Sequence, residues 1–401
     1  MNAPDSAVEI IRTLKHSGHT AYFVGGCVRD GIRGRKAKDW DIATSARPED
    51  VMKLFPNVVP TGLSFGTVTV VVPHQAFEVT TYRGDSEYTD GRRPDAVTFQ
   101  DNIHEDLARR DFTMNAVAYD PLADEYIDPH HGKLAIHRKM ITAVGKAEDR
   151  FNEDALRVYR AARFASQLDF RVDDATTQAM AKMDRKKYAN VSMERKVAEF
   201  EKLILGANPE NGLKLMELSG TLQDLFPGAA LINLGVIGLR SLPAVPAVRL
   251  AHFLYTYPMD RKDLRVHMSR NLKMATNTVD RTLALMEAIT GLYTPALPLD
   301  TDARVRWWMS ELPPYITAGE AVDAAWLRLD FKTRKRVENV ISERPPVAIR
   351  HLAIDGEDVQ KILGCTPGPQ IRLMLHRCLA VVLDNPSNNT VEKLTEVIQT
   401  R

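Results

Sequence analysis

The chain has few cysteines, no excess of charge of either sign and no long apolar run. Its three cysteines, Cys27, Cys365 and Cys378, are widely spaced, which excludes a disulfide framework and a CxxC zinc site. No window approaches the roughly 18 apolar residues of a membrane span, and the first residues lack the apolar stretch of a signal peptide. These absences predict a cytoplasmic protein without membrane association.

The charge balance excludes a protein that binds nucleic acid through its net charge. The 53 basic and 52 acidic residues leave a formal charge of +1. Any contact with nucleic acid must therefore come from local basic patches.

The pattern of apolar residues divides the chain into a mixed head and a long helical remainder. The head is predicted to contain a helix over 5–17, strands over 21–24 and 39–43, and a hairpin of 66–72 with 76–82. After residue 147 the pattern is helical almost to the end, with the strongest helix over 148–168. Proline-marked breaks separate later helical blocks, and TPALPLDTD near residue 297 is the best candidate for a boundary.

Asp39 and Asp41 flank Trp40 in the second predicted strand. Successive side chains of a strand point to opposite faces, so we expect both carboxylates on one face and Trp40 on the other. Mg²⁺ prefers hard oxygen ligands and is usually held by one or two carboxylates together with substrate phosphates. The pair predicts a catalytic magnesium site.

A Gly25-Gly26 turn lies just upstream, between a predicted strand and a predicted helix. Backbone amides without side chains can receive a triphosphate there, and Arg29 is near enough to add a charged contact. We expect a nucleotide-binding turn beside the carboxylates.

Six stretches follow one another in a recognisable order. They are GGCVRD (25–30), DWDIA (39–43), RRDFTMNA (109–116), DPHHG (128–132), EDALR (153–157) and SMERKVAEFEKLILG (192–206). The series resembles the motifs of the polymerase-beta-like nucleotidyltransferase superfamily, in the branch of bacterial (class II) tRNA nucleotidyltransferases and poly(A) polymerases. The resemblance covers about residues 20–228 closely and the rest only in general character.

The resemblance implies an α+β fold in four parts. A polymerase-beta-like catalytic head with a small mixed sheet would span 1–147, and a helical neck for base recognition 148–206. A helical body would span 207–297 and a tRNA-binding helical tail 298–401.

The EDALR stretch carries the expected base selection. Asp154 and Arg157 are three positions apart, so we expect them side by side on a helix. A carboxylate accepts from an exocyclic amine while a guanidinium donates to ring acceptors, which suits the Watson–Crick edge of C or A. The resemblance implies that this pair selects CTP and ATP, with Arg160 and Arg163 as further nucleotide-binding residues along the same helix.

The RRDFTMNA stretch carries the expected contacts to sugar and phosphates. Arg109 and Arg110 can bind a triphosphate, and Asp111 can accept from a ribose hydroxyl. Glu78, on the hairpin, could be a third carboxylate but ranks below Asp39 and Asp41.

Two further segments complete the expected machinery. The basic run Arg185-Lys186-Lys187 is a candidate for phosphate contacts to the acceptor stem of tRNA. The segment 80–99 is rich in charge and poor in aliphatic residues, as is typical of a mobile lid. In the family a complete segment here accompanies addition of the terminal A.

The implied activity is template-independent addition of CCA to tRNA from CTP and ATP, with two Mg²⁺ and release of pyrophosphate. The alternatives are an enzyme that adds only the terminal A, a poly(A) polymerase and a non-catalytic RNA-binding relative. The stretch PTGLSFGTVTVVV (60–72) resembles the tRNA branch, and the two carboxylates disfavour a binder that performs no chemistry. A monomer and a homodimer are equally compatible with the sequence.

Overall fold

The chain forms two compact units, Met1–Ile232 and Asn233–Arg401. The computed structural model describes residues 1–84, 99–293, 298–325 and 329–400. Over these ranges all strands belong to the first unit and the second unit is helical, which confirms the α+β class. The finer division into four parts is not tested by this and stays a prediction.

The first unit is built on a seven-stranded mixed sheet in the order β3-β4-β5-β2-β1-β6-β7. Its strands are β1 (Ala21–Val24), β2 (Asp41–Thr44), β3 (Val58–Gly62), β4 (Thr67–Val72), β5 (Gln75–Thr81), β6 (Ala118–Asp120) and β7 (Glu125–Ile127). The pair β2–β5 is parallel and the other neighbours are antiparallel. A short parallel pair, β8 (Met140–Ile141) with β9 (Arg171–Val172), lies outside this sheet.

The helices of the first unit cover the sheet and continue the chain beyond it. They are α1 (Asp5–His16), α2 (Gly26–Ile32), α3 (Pro48–Leu54), α4 (Ile103–Ala108), α5 (Gly132–His137), α6 (Ala147–Glu153), α7 (Leu156–Leu168), α8 (Asp174–Lys182), α9 (Met193–Ile204), α10 (Pro209–Ser219) and α11 (Thr221–Leu225). Short 3₁₀ helices occupy Leu63–Phe65, Thr113–Asn115 and Arg185–Asn190.

The second unit consists of helices joined by short turns. They are α12 (Pro246–Leu254), α13 (Arg261–Val266), α14 (Thr276–Tyr293), α15 (Asp302–Ser310), α16 (Ala318–Ala324), α17 (Phe331–Ser342), α18 (Gly356–Leu363), α19 (Pro369–Asp384) and α20 (Val391–Gln399). A π-helical turn at His267–Asn271 follows α13, and Val359, Cys378 and Leu394 meet in a small core formed by the last three helices. None of the described helices is both long and apolar enough to cross a bilayer.

The core beside the sheet is formed by apolar residues that recur at the spacing of a helix or a strand. Helix α1 presents Ile10, Ile11 and Leu14 at helical spacing, and all three are buried against Phe23 of β1. On the same side of the sheet Trp40 packs edge-on against Phe23, with the ring centroids 4.8 Å apart. Trp40 therefore faces the packed side of the sheet.

The predicted strand over 39–43 begins two residues later than expected, at Asp41. Strand β1 ends at Val24, which pairs with Asp41, and the chain then turns at Gly25. Asp39 consequently has no strand partner and lies in an exposed bend. The expectation that the strand includes Asp39 was wrong, and a common orientation of the Asp39 and Asp41 carboxylates stays a prediction.

The predicted continuous helix over 148–168 is two helices, α6 and α7, interrupted at Asp154. Asp154 is extended, with φ −144° and ψ 104°, and its Oδ1 accepts from the backbone N–H of Leu156 at 3.0 Å. The expectation that Asp154 and Arg157 lie side by side on one helix was wrong. Aspartate favours such local contacts over a helix interior because its short side chain competes for backbone donors.

Several short strands escaped the sequence pattern. The segments β6 and β7 have three residues each and β8 and β9 two, which is too short for a strand period to show. The expected hairpin of β4 and β5 is confirmed. The lid predicted over 80–99 falls mainly on residues 85–98, which lie outside the described residues.

We predict that Gly132→Ala destabilises the first unit. Gly132 opens α5, where Asp128 accepts from its N–H, and an added methyl group would lie 2.1 Å from the carbonyl oxygen of Thr113. Overpacking against fixed backbone costs about 1–3 kcal/mol or more, so the temperature of thermal unfolding should fall by several degrees. Gly319→Ala in helix α16 is the control, since its added methyl group would lie 3.9 Å from the nearest atom, Thr317 Oγ1. An unchanged Tm for Gly132→Ala would contradict this packing.

Candidate functional site

The first unit contains a polar cleft of about 550 Å³ where the ends of β1, β2 and β5 meet helices α4, α7 and α9. Four arginines from the sheet-bearing part line it, namely Arg29, Arg83, Arg109 and Arg110. Four more come from the following helices, namely Arg157, Arg160, Arg163 and Arg195. The cleft thus gathers all six arginines that the sequence predicted for nucleotide binding.

The cleft is positively charged although the chain is almost neutral. Its acidic lining consists of Asp41, Glu78, Asp106, Asp111 and Asp154. Eight arginines against these five acids leave an excess of three positive charges among the lining residues. Such a cleft can hold a polyanion of the size of a nucleoside triphosphate.

One corner of the cleft is acidic. The parallel register of β2 and β5 pairs Ile42 with Val79, which brings Asp41 and Glu78 side by side at the cleft. Burial, the charge of Glu78 and then that of Asp39 raise the pKa of Asp41, while Arg110 opposes them. Asp39 therefore acts on Asp41 electrostatically, but it does not line the cleft. The role of Asp39 as a ligand stays a prediction.

The Gly25-Gly26 turn borders this acidic corner. Gly25 has φ +75°, and a Cβ there would lie 3.3 Å from Arg110 Nη1 and 3.6 Å from Asp41 Oδ2. A side chain at this position would crowd both groups, so glycine keeps the cleft open. Arg29, one turn into α2, donates to Asp30 and to Asn115 Oδ1, the latter at 2.9 Å.

Asp106 holds the two predicted triphosphate arginines together. The carboxylate is 1% exposed, and Arg109 donates to one oxygen at 2.7 Å while Arg110 donates to the other at 2.8 Å. Burial alone would raise the pKa of Asp106, but the two guanidinium groups hold it far below its usual value. The charged carboxylate thereby fixes both arginines at the cleft.

Asp111 organises the next part of the cleft in the same way. Its Oδ2 accepts from Arg160 Nε at 2.7 Å and Nη2 at 2.6 Å, and its Oδ1 accepts from the N–H of Phe112 and from Asn115. Burial opposes ionisation, yet Arg160 and these donors lower the pKa of Asp111. The carboxylate is saturated by protein groups here, and its predicted contact to ribose stays a prediction.

Three arginines surround the ring of Phe164. Its centroid is 3.9 Å from the guanidinium carbon of Arg163, 5.4 Å from Arg160 and 5.5 Å from Arg29. Arg163 also forms an ion pair with Glu199 at 2.5 Å. Burial lowers the pKa of Arg163 to about 10, with Glu199 acting against it and the neighbouring Arg160 with it. An aromatic face and a carboxylate thus offset the repulsion between these cations.

The predicted base-reading residues both line the cleft, although they do not pair with each other. Arg157 is held by Glu153 at 2.5 Å and by the backbone oxygens of Arg150 and Arg109, each at 3.0 Å. Asp154 pairs instead with Arg195, whose Nη2 lies 2.9 Å from Asp154 Oδ2. A donor and an acceptor are therefore presented separately, as recognition of one base edge requires.

The basic run Arg185-Lys186-Lys187 does not line the cleft. It forms a 3₁₀ turn in which Arg185 and Lys186 are exposed. Lys187 Nζ donates to Asn152 Oδ1 at 2.7 Å, next to the EDALR stretch. The run is close to the cleft in the fold, and its contact to RNA stays a prediction.

Several functional neighbours were missed from the sequence. Asp106 lies three and four residues before Arg109 and Arg110, and this helical spacing could have indicated the pairing. Arg195 and Glu199 lie about 40 residues from their partners, and no local signal connects them.

The side chains available as ligands limit the kind of metal site that the cleft can form. Among the described residues no group of three or more His, Cys, Asp and Glu side chains is arranged to hold an ion. A cation at the acidic corner would therefore need further oxygen ligands from a substrate, which is how Mg²⁺ is commonly bound beside phosphates.

The chain is similar to known proteins over nearly its whole length. Residues 21–142 match the model of the Poly A polymerase head domain, and residues 169–232 match that of a probable RNA and SrmB-binding site of polymerase A. The CCA-adding enzyme of Anoxybacillus flavithermus is 36% identical, over 97% of this chain and 95% of its own. That of Geobacillus kaustophilus is 37% identical over the same shares.

A solved structure extends the similarity to the fold. The CCA-adding enzyme of Bacillus stearothermophilus in complex with CTP has a TM-score of 0.77 and 32% identity, over 98% of this chain and 96% of that one. The resemblance read from the motifs is thereby confirmed. With this similarity over nearly its whole length, the chain belongs to the family of CCA-adding enzymes.

Proposed function

We propose that this protein completes the 3′ end of tRNA by adding C, C and A from CTP and ATP, with release of pyrophosphate. The observation that carries the proposal is the cleft of the first unit, in which an acidic corner adjoins eight arginines and a separated Asp154–Arg157 pair. The similarity to CCA-adding enzymes over nearly the whole chain supports the same activity.

Base selection rests on Asp154 and Arg157. The Asp154 carboxylate accepts from the exocyclic amine that C and A share, and the Arg157 guanidinium donates to the ring acceptor beside it. G and U do not present that pattern. The protein itself therefore replaces a nucleic-acid template.

Triphosphate binding rests on the arginines that Asp106 and Asp111 hold. Arg109, Arg110 and Arg160 are oriented before the nucleotide arrives, so little rotamer entropy is lost on binding. Arg29, Arg163 and the amides of Gly25-Gly26 complete the phosphate contacts. Asp111 acts on the ribose side of the cleft.

Mg²⁺ is the cation that suits the acidic corner. Asp41 and Glu78 are neighbouring hard oxygen donors, and burial together with the charge of Glu78 raises the pKa of Asp41, so a bound cation would stabilise its charged form. We assign the metal contacts to Asp41 and to Asp39 in the preceding bend, and rank Glu78, beside Asp41 on β5, below these two. Two bound Mg²⁺ would supply charge neutralisation at the attacking and leaving oxygens.

The transfer itself requires positioning more than covalent chemistry. The 3′ oxygen of the tRNA bonds to the α-phosphorus of the nucleotide, and the bond from that phosphorus to the bridging oxygen of pyrophosphate breaks. The carboxylates align the hydroxyl, and the arginines hold the phosphates whose negative charge shifts to the leaving group. We place this reaction in the cytoplasm.

The RNA contacts are assigned outside the cleft. Arg185, Lys186 and Lys187 form an exposed basic run beside the base-reading segment, where acceptor-stem phosphates would pass. We assign residues 1–147 to the catalytic head, 148–206 to the neck, 207–297 to the body and 298–401 to the tRNA-binding tail.

The direct test uses tRNA transcripts that end before the first C, after the first C and after the second C. We expect CTP to extend the first two and ATP to extend the third, with growth stopping at CCA. Product lengths on denaturing gels measure this. Growth only on the transcript that ends in CC would convert the assignment to an A-adding enzyme, and a long A tail would indicate a poly(A) polymerase.

We predict that Asp41→Asn abolishes nucleotide incorporation while binding of tRNA persists. The substitution removes the charge that aligns the reacting groups but leaves the basic surfaces intact, so incorporation should fall at least about 10³-fold. Single-turnover assays measure the rate and filter binding measures the tRNA affinity. Asp39→Asn should also reduce the rate, and Asp5→Asn, at an exposed position where α1 begins, is the matched control. A normal rate for Asp41→Asn would contradict the assignment.

We predict that Asp106→Asn raises the KM for CTP and ATP alike. An amide offers one oxygen acceptor in place of two, so it cannot hold both Arg109 and Arg110. Losing one charged hydrogen bond costs about 1.5–3 kcal/mol, which corresponds to roughly tenfold or more in KM. Initial-rate kinetics measure the effect, and circular dichroism checks the fold. An effect on one nucleotide alone would show that Asp106 does not act through the shared triphosphate.

A further inference from the structure

We infer that Arg195 is a positioning residue for base selection, which it serves by fixing the carboxylate of Asp154. The inference rests on the proposed function, since it concerns how the same cleft chooses CTP and ATP. Arg195 belongs to α9, a helix that contributes none of the residues expected to touch the nucleotide.

Asp154 needs such a partner because of its place in the chain. It lies in the extended link between α6 and α7, where no helical turn restrains its side chain. Its Oδ1 accepts from the N–H of Leu156 at 3.0 Å and its Oδ2 from Arg195 Nη2 at 2.9 Å. These two contacts, from two different helices, set the plane of the carboxylate.

The contact leaves room for the base. Each carboxylate oxygen has two lone pairs, and each oxygen of Asp154 receives one of these two donors. A free lone pair therefore remains to accept an exocyclic amine. Arg157, by contrast, is held by Glu153 and backbone oxygens, so Arg195 restrains the acceptor and leaves the donor unaffected.

A carboxylate without this restraint would discriminate less well. U and G carry a ring N–H at the position where C and A have a ring acceptor, and a rotated carboxylate can accept from that N–H. Loss of Arg195 should therefore admit UTP and GTP as well as weaken CTP and ATP.

A role in stability does not account for the pair. The Arg195 side chain is 41% exposed and that of Asp154 22%, and ion pairs at such exposure contribute little to folding. A change in nucleotide choice without a change in Tm would therefore separate positioning from structural support.

The experiment compares Arg195→Met with Arg195→Lys, Asp154→Ala and the unsubstituted protein, on tRNA ending before the first C and on tRNA ending in CC. For Arg195→Met we expect the KM for CTP and ATP to rise about tenfold and the preference over UTP and GTP to fall about tenfold. The value of kcat should change less, and Tm should stay the same. Arg195→Lys keeps the charge without the planar fork and should restore selectivity in part.

Two comparisons make the outcome decisive. Adding Arg195→Met to Asp154→Ala should cause little further loss of selectivity, because residues that act through one contact are not additive. Lys202→Met, an exposed cation later in the same helix, should behave as the unsubstituted protein. The inference would be overturned if Arg195→Met kept full selectivity, or if it lost no more selectivity than Lys202→Met.

The same set of variants separates the inference from the proposed function. If Asp154→Ala loses selectivity and Arg195→Met keeps it, Arg195 has no positioning role and the base-reading assignment stands. If Asp154→Ala itself keeps the choice of CTP and ATP, the base-reading assignment fails. If Arg195→Met proves less stable, the other two variants decide. Partial recovery of selectivity in Arg195→Lys and little further loss in the double variant support the positioning role, and the absence of both overturns it.

Discussion

The cleft depends on buried carboxylates that hold arginines in place. Eight guanidinium groups line one cavity, and without neighbouring carboxylates their mutual repulsion would keep them apart. Asp106 accepts from Arg109 and Arg110, Asp111 accepts from two nitrogens of Arg160, and the face of Phe164 receives further guanidinium groups. The guanidinium groups are thereby held in fixed orientations, and the protein offsets part of their mutual repulsion. The site is ready to bind a polyphosphate without rearrangement.

The sheet supplies the opposite charge at one corner of this site. Because β2 and β5 run parallel and in register, Asp41 comes next to Glu78 although 37 residues separate them. On the other side of the sheet, Trp40 packs on Phe23 and anchors the start of β2. Packing on one face thereby determines where a charged pair is presented on the other.

The sequence was informative where function needs residues close together in the chain. The Gly25-Gly26 turn, Asp41 and the pair Arg109-Arg110 all line the cleft, as their motifs indicated. The periodic pattern of apolar residues predicted the wrong bounds for two elements. Asp39 lies before the strand because β1 ends at Val24, and Asp154 interrupts a helix because its carboxylate caps the next one. In the first case strand pairing prevailed over the propensity of the surrounding segment, and in the second a local side-chain contact did.

By itself the sequence determined the family, the α+β class and most of the cleft residues, because these depend on residue type and on order along the chain. The tertiary structure decided which charges neutralise one another. Arg195 meets Asp154, Arg160 meets Asp111 and Glu199 meets Arg163 across 36 to 49 residues of chain. Such partners are chosen by how helices α7 and α9 pack against each other and against the segments that carry Asp111 and Asp154, and no spacing in the sequence encodes that choice.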